Sequence, residues 1–291
     1  MSLCRACQIA VTVGLFASIL TPAGAAEKCP PNIGKFRVGI QTYTFRGHTF
    51  EQAVQKAAQL GVKYIEAYPG QRLSEATGDA VFTPDAPPEI RAKARQILDR
   101  SGVKLHNFGV VYLPNDEAAC RRVFEFAKEM GVEILSAEPP TDAIPLVERL
   151  VKEYGIRVAI HNHPAPSQYA DPRTVRQAIA GRDARIGAGP DIGHWMRSGF
   201  EPIASLRMLR GRIISLHLKD LKEMGVRESR DWPLGQGILD LPALFRELEA
   251  QKFDGTIMIE YEASQPDPTA DVAASLEYLR RILKPAATAA K

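Results

Sequence analysis

Residues 151–163 read VKEYGIRVAIHNH, and this stretch decides the fold. A helix ends at Tyr154, Gly155 supplies the left-handed residue that closes it, Ile156 opens a short apolar strand, and the strand ends in His161-Asn162-His163. The same phrase recurs as AAQLGVKYIEAY (57–68), LDRSGVKLHNFG (98–109) and FAKEMGVEILSAE (126–138), with Gly61, Gly102 and Gly131 in the closing position. Four further runs complete the set: FRVGIQTYTF (36–45), ARIGAGPDIGHW (184–195), GRIISLHLKD (211–220) and FDGTIMIEYEA (253–263). Eight strands are therefore expected, beginning near Phe36, Val62, Val103, Val132, Ile156, Arg185, Arg212 and Gly255. Continuous apolar runs are the mark of strands buried on both faces in a parallel sheet.

Eight strand-helix units in one chain predict an α/β protein with a single (β/α)₈ TIM barrel over residues 33–285. The competing architecture is an open doubly wound sheet, which gathers its chemistry at one switch point. Here chemistry-bearing residues end at least five different strands, an arrangement that suits a closed barrel with one common mouth. Two long connections, 69–88 and 222–237, follow strands and are expected to hang over that mouth.

The ends of the chain do not belong to the barrel. Arg5, the apolar stretch from Ile9 to Leu20 and the triplet Ala23-Gly24-Ala25 read as a secretory signal peptide over residues 1–26; an uncleaved anchor is the alternative, although the run is short for a bilayer. Residues 286–291 read as a flexible tail. Cleavage would remove Cys4 and Cys7, leaving Cys29 and Cys120, which an oxidising compartment would allow to pair. The mature protein is expected to be secreted or periplasmic, with no membrane contact.

An apolar share of 45% against 24% charged residues excludes disorder as the general state. Losing Arg5 lowers the formal net charge from +3 to +2, and basic residues alternate with acidic ones. Neither feature suits a phosphate backbone, so nucleic acid is not an expected partner.

The strand ends SAEPP, AIHNHP, PDIGHW, SLHLKD and MIEYE carry the candidate chemistry. Glu138, His163, Asp191, His217 and Glu260 form a mixed nitrogen and oxygen donor set that suits a divalent ion among Mn²⁺, Co²⁺, Zn²⁺, Fe²⁺ and Mg²⁺. Residues two apart on a strand share a face, so His161 and His163 point together, as do His217 and Lys219. Glu260, Lys219 and His163 are the candidates for proton transfer; an ion pair with a nearby carboxylate is the alternative for Lys219. His161, His194, Arg197, Glu66, Tyr68, His106 and Trp232 are the candidates for substrate contact, with a core role as the alternative for His106.

DIGH (191–194), HLKD (217–220), the WPLGQG loop (232–237) and GTIMIEYE (255–262), in this order, resemble the xylose isomerase-like superfamily of TIM barrels, the sugar phosphate isomerase/epimerase group. The resemblance spans Phe36 to Leu283. It implies a divalent metal held by Glu, Asp, His and Glu from the last four strands. Asp191, His217 and Glu260 match, whereas the fifth-strand acid falls at His161; Glu138 or one of the two histidines must then complete the set. The implied function is a sugar isomerase or epimerase that abstracts a proton next to a carbonyl through a metal-stabilised enediolate. A 3-keto-glycoside lyase or hydratase acting by β-elimination is the alternative on the same scaffold, and an inactive sugar-binding protein a second one. Relatives are often homo-oligomers, and the expected small-molecule partner is a sugar, unphosphorylated because sugar phosphates are scarce outside the cytoplasm.

Overall fold

The computed structural model describes residues 32–263 and 265–284. The expected signal segment, Cys29 and the tail from 286 lie outside the described residues. Eight parallel strands form the centre: β1 (Arg37–Gln41), β2 (Tyr64–Ala67), β3 (Lys104–Val111), β4 (Ile134–Ala137), β5 (Arg157–Ile160), β6 (Ile186–Ala188), β7 (Ser215–Leu218) and β8 (Thr256–Ile259). Each begins within three residues of its expected start. Neighbours pair in chain order from β1 to β6, β8 pairs with both β1 and β7, and the circle closes between β6 and β7. There Ala188 N donates to Arg212 O at 2.7 Å and Ile214 N to Ala188 O at 2.8 Å. The sheet is thus a closed barrel, as the sequence predicts.

Nine α-helices cover it among the described residues: α1 (Phe50–Gln59), α2 (Pro88–Ser101), α3 (Glu117–Met130), α4 (Ile144–Tyr154), α5 (Pro172–Ile179), α6 (Ile192–Arg197), α7 (Pro202–Met208), α8 (Leu241–Ala250) and α9 (Thr269–Ile282). Their ends follow local chemistry. Thr49 and Gln52 form a reciprocal capping box at the start of α1, whose buried Phe50, Ala53, Val54 and Ala57 repeat at helical spacing. Gly102, Gly131 and Gly155 close α2, α3 and α4 in the left-handed conformation.

The two long connections behave differently. Residues 69–88 fold into a small antiparallel ribbon, Gln71–Arg72 with Val81–Phe82, that packs outward: Phe82 lies against Phe50, Phe108 and Phe126. Only the start of this segment reaches the mouth, which corrects the expectation of a lid. Residues 222–237 do remain beside the mouth, and Asp231–Trp232 pairs with Asp220–Leu221. Cys120 is buried in α3, its Sγ 3.1 Å from Pro114 O.

Candidate functional site

At the carboxyl ends of the strands lies a cavity of about 570 Å³. Its floor is built by the strand-end residues. Glu138 follows β4, His161 and His163 follow β5, Asp191 follows β6, His217 and Lys219 come from β7 and its continuation, and Glu260 and Glu262 follow β8. In a parallel barrel every strand points this way, so residues up to 124 positions apart in sequence converge without long side chains having to reach.

Asp191 does two jobs. It is the N-cap of α6, its Oδ1 accepting from His194 N at 2.8 Å, and this aims Oδ2 inward. Asn162 locks that backbone: its Oδ1 accepts from Asp191 N at 3.0 Å and its Nδ2 donates to Asp191 O at 3.2 Å. Gly193 is needed for space, because a Cβ there would stand 2.7 Å from Lys219 Cβ. The DIGH run thus encodes a cap, a contact and a passage for the lysine stem.

Around Asp191 Oδ2 the donors are closely set. His161 Nε2 and His217 Nδ1 each lie 3.7 Å from it, and His217 Nδ1 lies 3.0 Å from Glu260 Oε2. Donor atoms bound about 2.1 Å from one ion stand roughly 3.0–3.5 Å apart, so this spacing fits a shared cation. Asp191 Oδ2 is fully buried and accepts no hydrogen bond of regular geometry, its one close permanent cation being the Lys219 ammonium at 2.9 Å, which is the second mark of an ion site. A third is the charge balance: among the described residues, Glu66, Glu138, Asp191, Asp231, Glu260 and Glu262 make ion pairs with Lys219 and Arg197 as their only permanent cations.

That imbalance governs ionisation. Burial opposes a charge on His217, but Glu66, Glu260 and Asp191 outweigh it and raise its pKa well above the ordinary imidazole value. Burial likewise opposes charge on His161, outweighed by Asp191 and Glu138. His194 goes the other way: burial, with Lys219 and His161 nearby, lowers it to about 2. Glu138, Asp191 and Glu260 all ionise below the usual carboxylate range, because hydrogen bonds and neighbouring positive charges overcome burial.

The structure sorts the predicted residues. Asp191, His217 and Glu260 form one cluster whose ligand atoms all lie within 4.8 Å of one another, and His161 joins it through Asp191. Glu138, His161 and His163 form a second such group and His161, Asp191 and His194 a third; in the second, Glu138 Oε1 is 2.9 Å from His161 Nδ1 and 2.6 Å from His163 Nδ1. This places His161, expected as a substrate contact, in the position where the fourth donor was sought. Tyr68, His163, His194 and Glu260 line the cavity.

Four substrate candidates lie elsewhere. Glu66 is buried beneath the floor, 3.1 Å from His217 Nε2. His106 sits low on β3, packed edge-on against Tyr64 and 3.4 Å from Glu133, because it falls before the mouth. Arg197 is occupied by Asp231 at 2.5 Å and Glu262 at 3.2 Å. Trp232 stands on the outer ribbon between Lys222 and Arg230. Lys219, a candidate for proton transfer with a carboxylate ion pair as the alternative, makes the ion pair. Burial does favour its neutral form, yet Asp191, Glu260 and Glu262 at 2.9, 2.9 and 2.7 Å reverse this and hold it protonated.

Sequence reading missed Gln41, Tyr43 and Arg227, which also line the cavity, and the clamp Asn162. The alternation IHNH was the available signal for Asn162. Tyr43 stands edge-on to Tyr68 at 5.1 Å, a contact between β1 and β2 ends that no local pattern announces.

Residues 54–282 match the xylose isomerase-like TIM barrel family, and the chain belongs to it. Among curated relatives, the inosose dehydratase of Clostridium beijerinckii is 26% identical over 157 residues, 49% of this chain and 51% of that protein. The chain thus matches about half the length of that relative. An uncharacterised protein of Parabacteroides distasonis with a crystal structure is 35% identical, with a TM-score of 0.69 over 85% of this chain and 99% of its own. The crystal structure of the IOLI protein, with a zinc atom bound, shares the fold at 17% identity and a TM-score of 0.64, covering 84% and 97%.

Proposed function

We propose that the protein is an exported, metal-dependent carbohydrate enzyme of the isomerase, epimerase or lyase type, which removes a proton next to a sugar carbonyl. The observation that carries this reading is the buried, inward Asp191 Oδ2, with a nitrogen of His161 and one of His217 each 3.7 Å away and His217 and Glu260 in the same group of close donor atoms. These four residues would hold the cation. When bound, it supplies Lewis-acid stabilisation of the negative charge that develops on the carbonyl oxygen. The zinc of the structurally similar protein and the sugar-enzyme names of relatives support the assignment.

The chain's own groups account for the proton. Glu260 lines the cavity on the β8 side, ionised and therefore able to accept it. His163 lines another wall: it follows β5, three strands round an eight-stranded barrel from β8, with its Nδ1 held by Glu138. Two proton-transfer groups on separate walls fit inversion at one carbon, with Glu260 taking the proton and His163 delivering one. His194 and Tyr68 offer contacts to hydroxyls. Lys219 keeps Glu262 and Glu260 in place and supplies fixed positive charge.

The cavity favours an unphosphorylated sugar. Glu260 and Glu262 line it and Arg227 is its one lining arginine, so a phosphate dianion would meet more repulsion than attraction. Elimination is the second reading, favoured by the dehydratase name of the curated relative. Both begin with the same proton removal and differ in whether a β-substituent leaves.

The test is to incubate dialysed and metal-restored protein with ketoses in D₂O and, separately, with a 3-keto-glycoside. Metal-dependent deuterium in recovered sugar supports epimerisation or isomerisation, and aglycone release supports elimination. Sugar binding with neither reaction under any metal would leave a binding protein and reject the proposal.

A further inference from the structure

We propose that the sugar site continues outward into a second subsite, walled by residues 227–231 and by Glu262 and Ala263, that takes the second ring of a disaccharide or longer glycoside, with Glu262 and Arg227 binding hydroxyls at the junction. The inference names the substrate class of the site proposed above and rests on that reading.

Beside the cavity of about 570 Å³ lies a second pocket of about 360 Å³. The two share Pro164, His194, Arg227 and Glu262 as walls, so they adjoin, whereas Glu260 and the edge-on pair Tyr43 and Tyr68 line the first alone. Small-molecule pockets run from roughly 300 to 1,000 Å³. A single hexose is at the small end of such ligands, so the first cavity houses the reacting ring and the second adds room for another.

The junction is held in place before any ligand arrives. Glu262 N donates to Asp231 Oδ2 at 2.7 Å, and Glu262 Oε2 accepts from Lys219 Nζ at 2.7 Å and from Arg197 Nη1 at 3.2 Å. Both side-chain bonds fall on one oxygen, which fixes the carboxylate, offsets its charge and leaves Oε1 to accept from a hydroxyl. Arg227 borders both pockets and has no ion-pair partner among the described residues, so its donors are available across the junction. Its loop is tied on both sides: Gly225 N donates to Met196 O at 2.8 Å, while Arg197 holds Ser229 O at 3.0 Å and Asp231 Oδ1 at 2.5 Å. A wall already ordered loses less entropy on binding.

The lining selects the kind of group. Glu228, Ser229, Arg230 and Asp231 face the outer pocket, with Pro164 and Ala263 as its apolar side chains. That surface suits a ring covered in hydroxyls better than a flat aryl aglycone, which would strip water from polar groups without replacing their hydrogen bonds.

The experiment titrates full-length protein by calorimetry with glucose, galactose, cellobiose, maltose, trehalose, lactose and p-nitrophenyl β-glucoside, for wild type, Arg227→Ala and Glu262→Gln. At least one disaccharide should bind about tenfold or more tightly than either of its monosaccharides, the gain of one hydrogen bond to a charged group, and more tightly than the aryl glucoside. Arg227 is exposed, so Arg227→Ala should fold, and it should cut the ratio of disaccharide to monosaccharide affinity by about tenfold. Glu262→Gln, where it folds, should cut the same ratio. Equal affinity for mono- and disaccharides, no disaccharide binding, tightest binding of the aryl glucoside, or an unchanged ratio in Arg227→Ala overturns the inference. Solvent deuterium in a ketose alongside any of these results leaves the proposed function standing, whereas neither deuterium incorporation nor elimination with any keto sugar rejects that function whatever the binding ratios.

Discussion

Lys219→Met replaces a fully buried ammonium by an apolar side chain of similar length. In the metal-free protein the lysine contacts Asp191, Glu260 and Glu262 at 2.9, 2.9 and 2.7 Å, and among the described residues only Glu262 pairs with a second permanent cation, Arg197 at 3.2 Å. Removing one member of a buried ionic group typically costs about 3–5 kcal/mol, because the remaining charges stay desolvated and unpaired. For a domain of this size, each kcal/mol moves Tm by about 2–4 °C, so the variant should melt roughly 6–20 °C lower. The assay is thermal and urea unfolding of EDTA-dialysed parent and variant, repeated with Zn²⁺ or Co²⁺. A dication shared by Asp191 and Glu260 takes over part of the lost charge, so metal should stabilise the variant more than the parent. Adding Glu262→Gln should recover part of the loss by removing an uncompensated carboxylate. A variant that melts within about 1 °C of the parent without metal would refute the view of Lys219 as the internal counter-ion of the site.

Asp220 accepts from Gly235 N at 2.9 Å, Gly237 N at 2.9 Å and Leu239 N at 3.1 Å, which explains why HLKD and WPLGQG occur together. Asp220→Ala should cost about 2–4 kcal/mol and increase amide exchange at residues 235–239, and unchanged exchange would exclude this role. Gly193→Ala places a methyl 2.7 Å from Lys219 Cβ, which is fixed to the backbone, so overpacking of about 1–3 kcal/mol and weaker metal binding are expected from melts and titration. The pH dependence has a defined sign. His161 and His217 have pKa values raised from 6.5, so their contribution to metal-free stability is complete below about 6.5 and is lost as pH rises through the higher folded values. Asp191 and Glu260 are lowered from 3.8 and 4.5; their contribution is complete above those values and is lost in acid. Metal-free protein should therefore unfold more easily at pH 9 than at pH 6, whereas metal affinity should rise with pH as protons leave the imidazoles. Melts that strengthen toward pH 9 without metal would contradict the cited shifts.

The barrel was legible because its signals are local. Gly102, Gly131 and Gly155 each close a helix by a backbone conformation that other residues adopt at a cost, and the apolar run after each has the period of a buried strand. The loops were less legible: residues 69–88 turn outward because Phe82 finds a cluster formed by Phe50, Phe108 and Phe126, which are scattered along the sequence.

For the site, the sequence determined which residues end the strands, and β-strand alternation determined which of them share a face. That was enough to single out Asp191, His217 and Glu260. It did not decide height along the barrel axis or which nitrogen of an imidazole points where. Those depend on strand register and on partners from other strands, so only tertiary structure placed His106 low on β3, Glu66 beneath His217 and Glu138 behind His161. The state of Lys219 was decided in the same way. Burial alone would have released its proton, and the three carboxylates brought around it from β6 and β8 keep that proton bound.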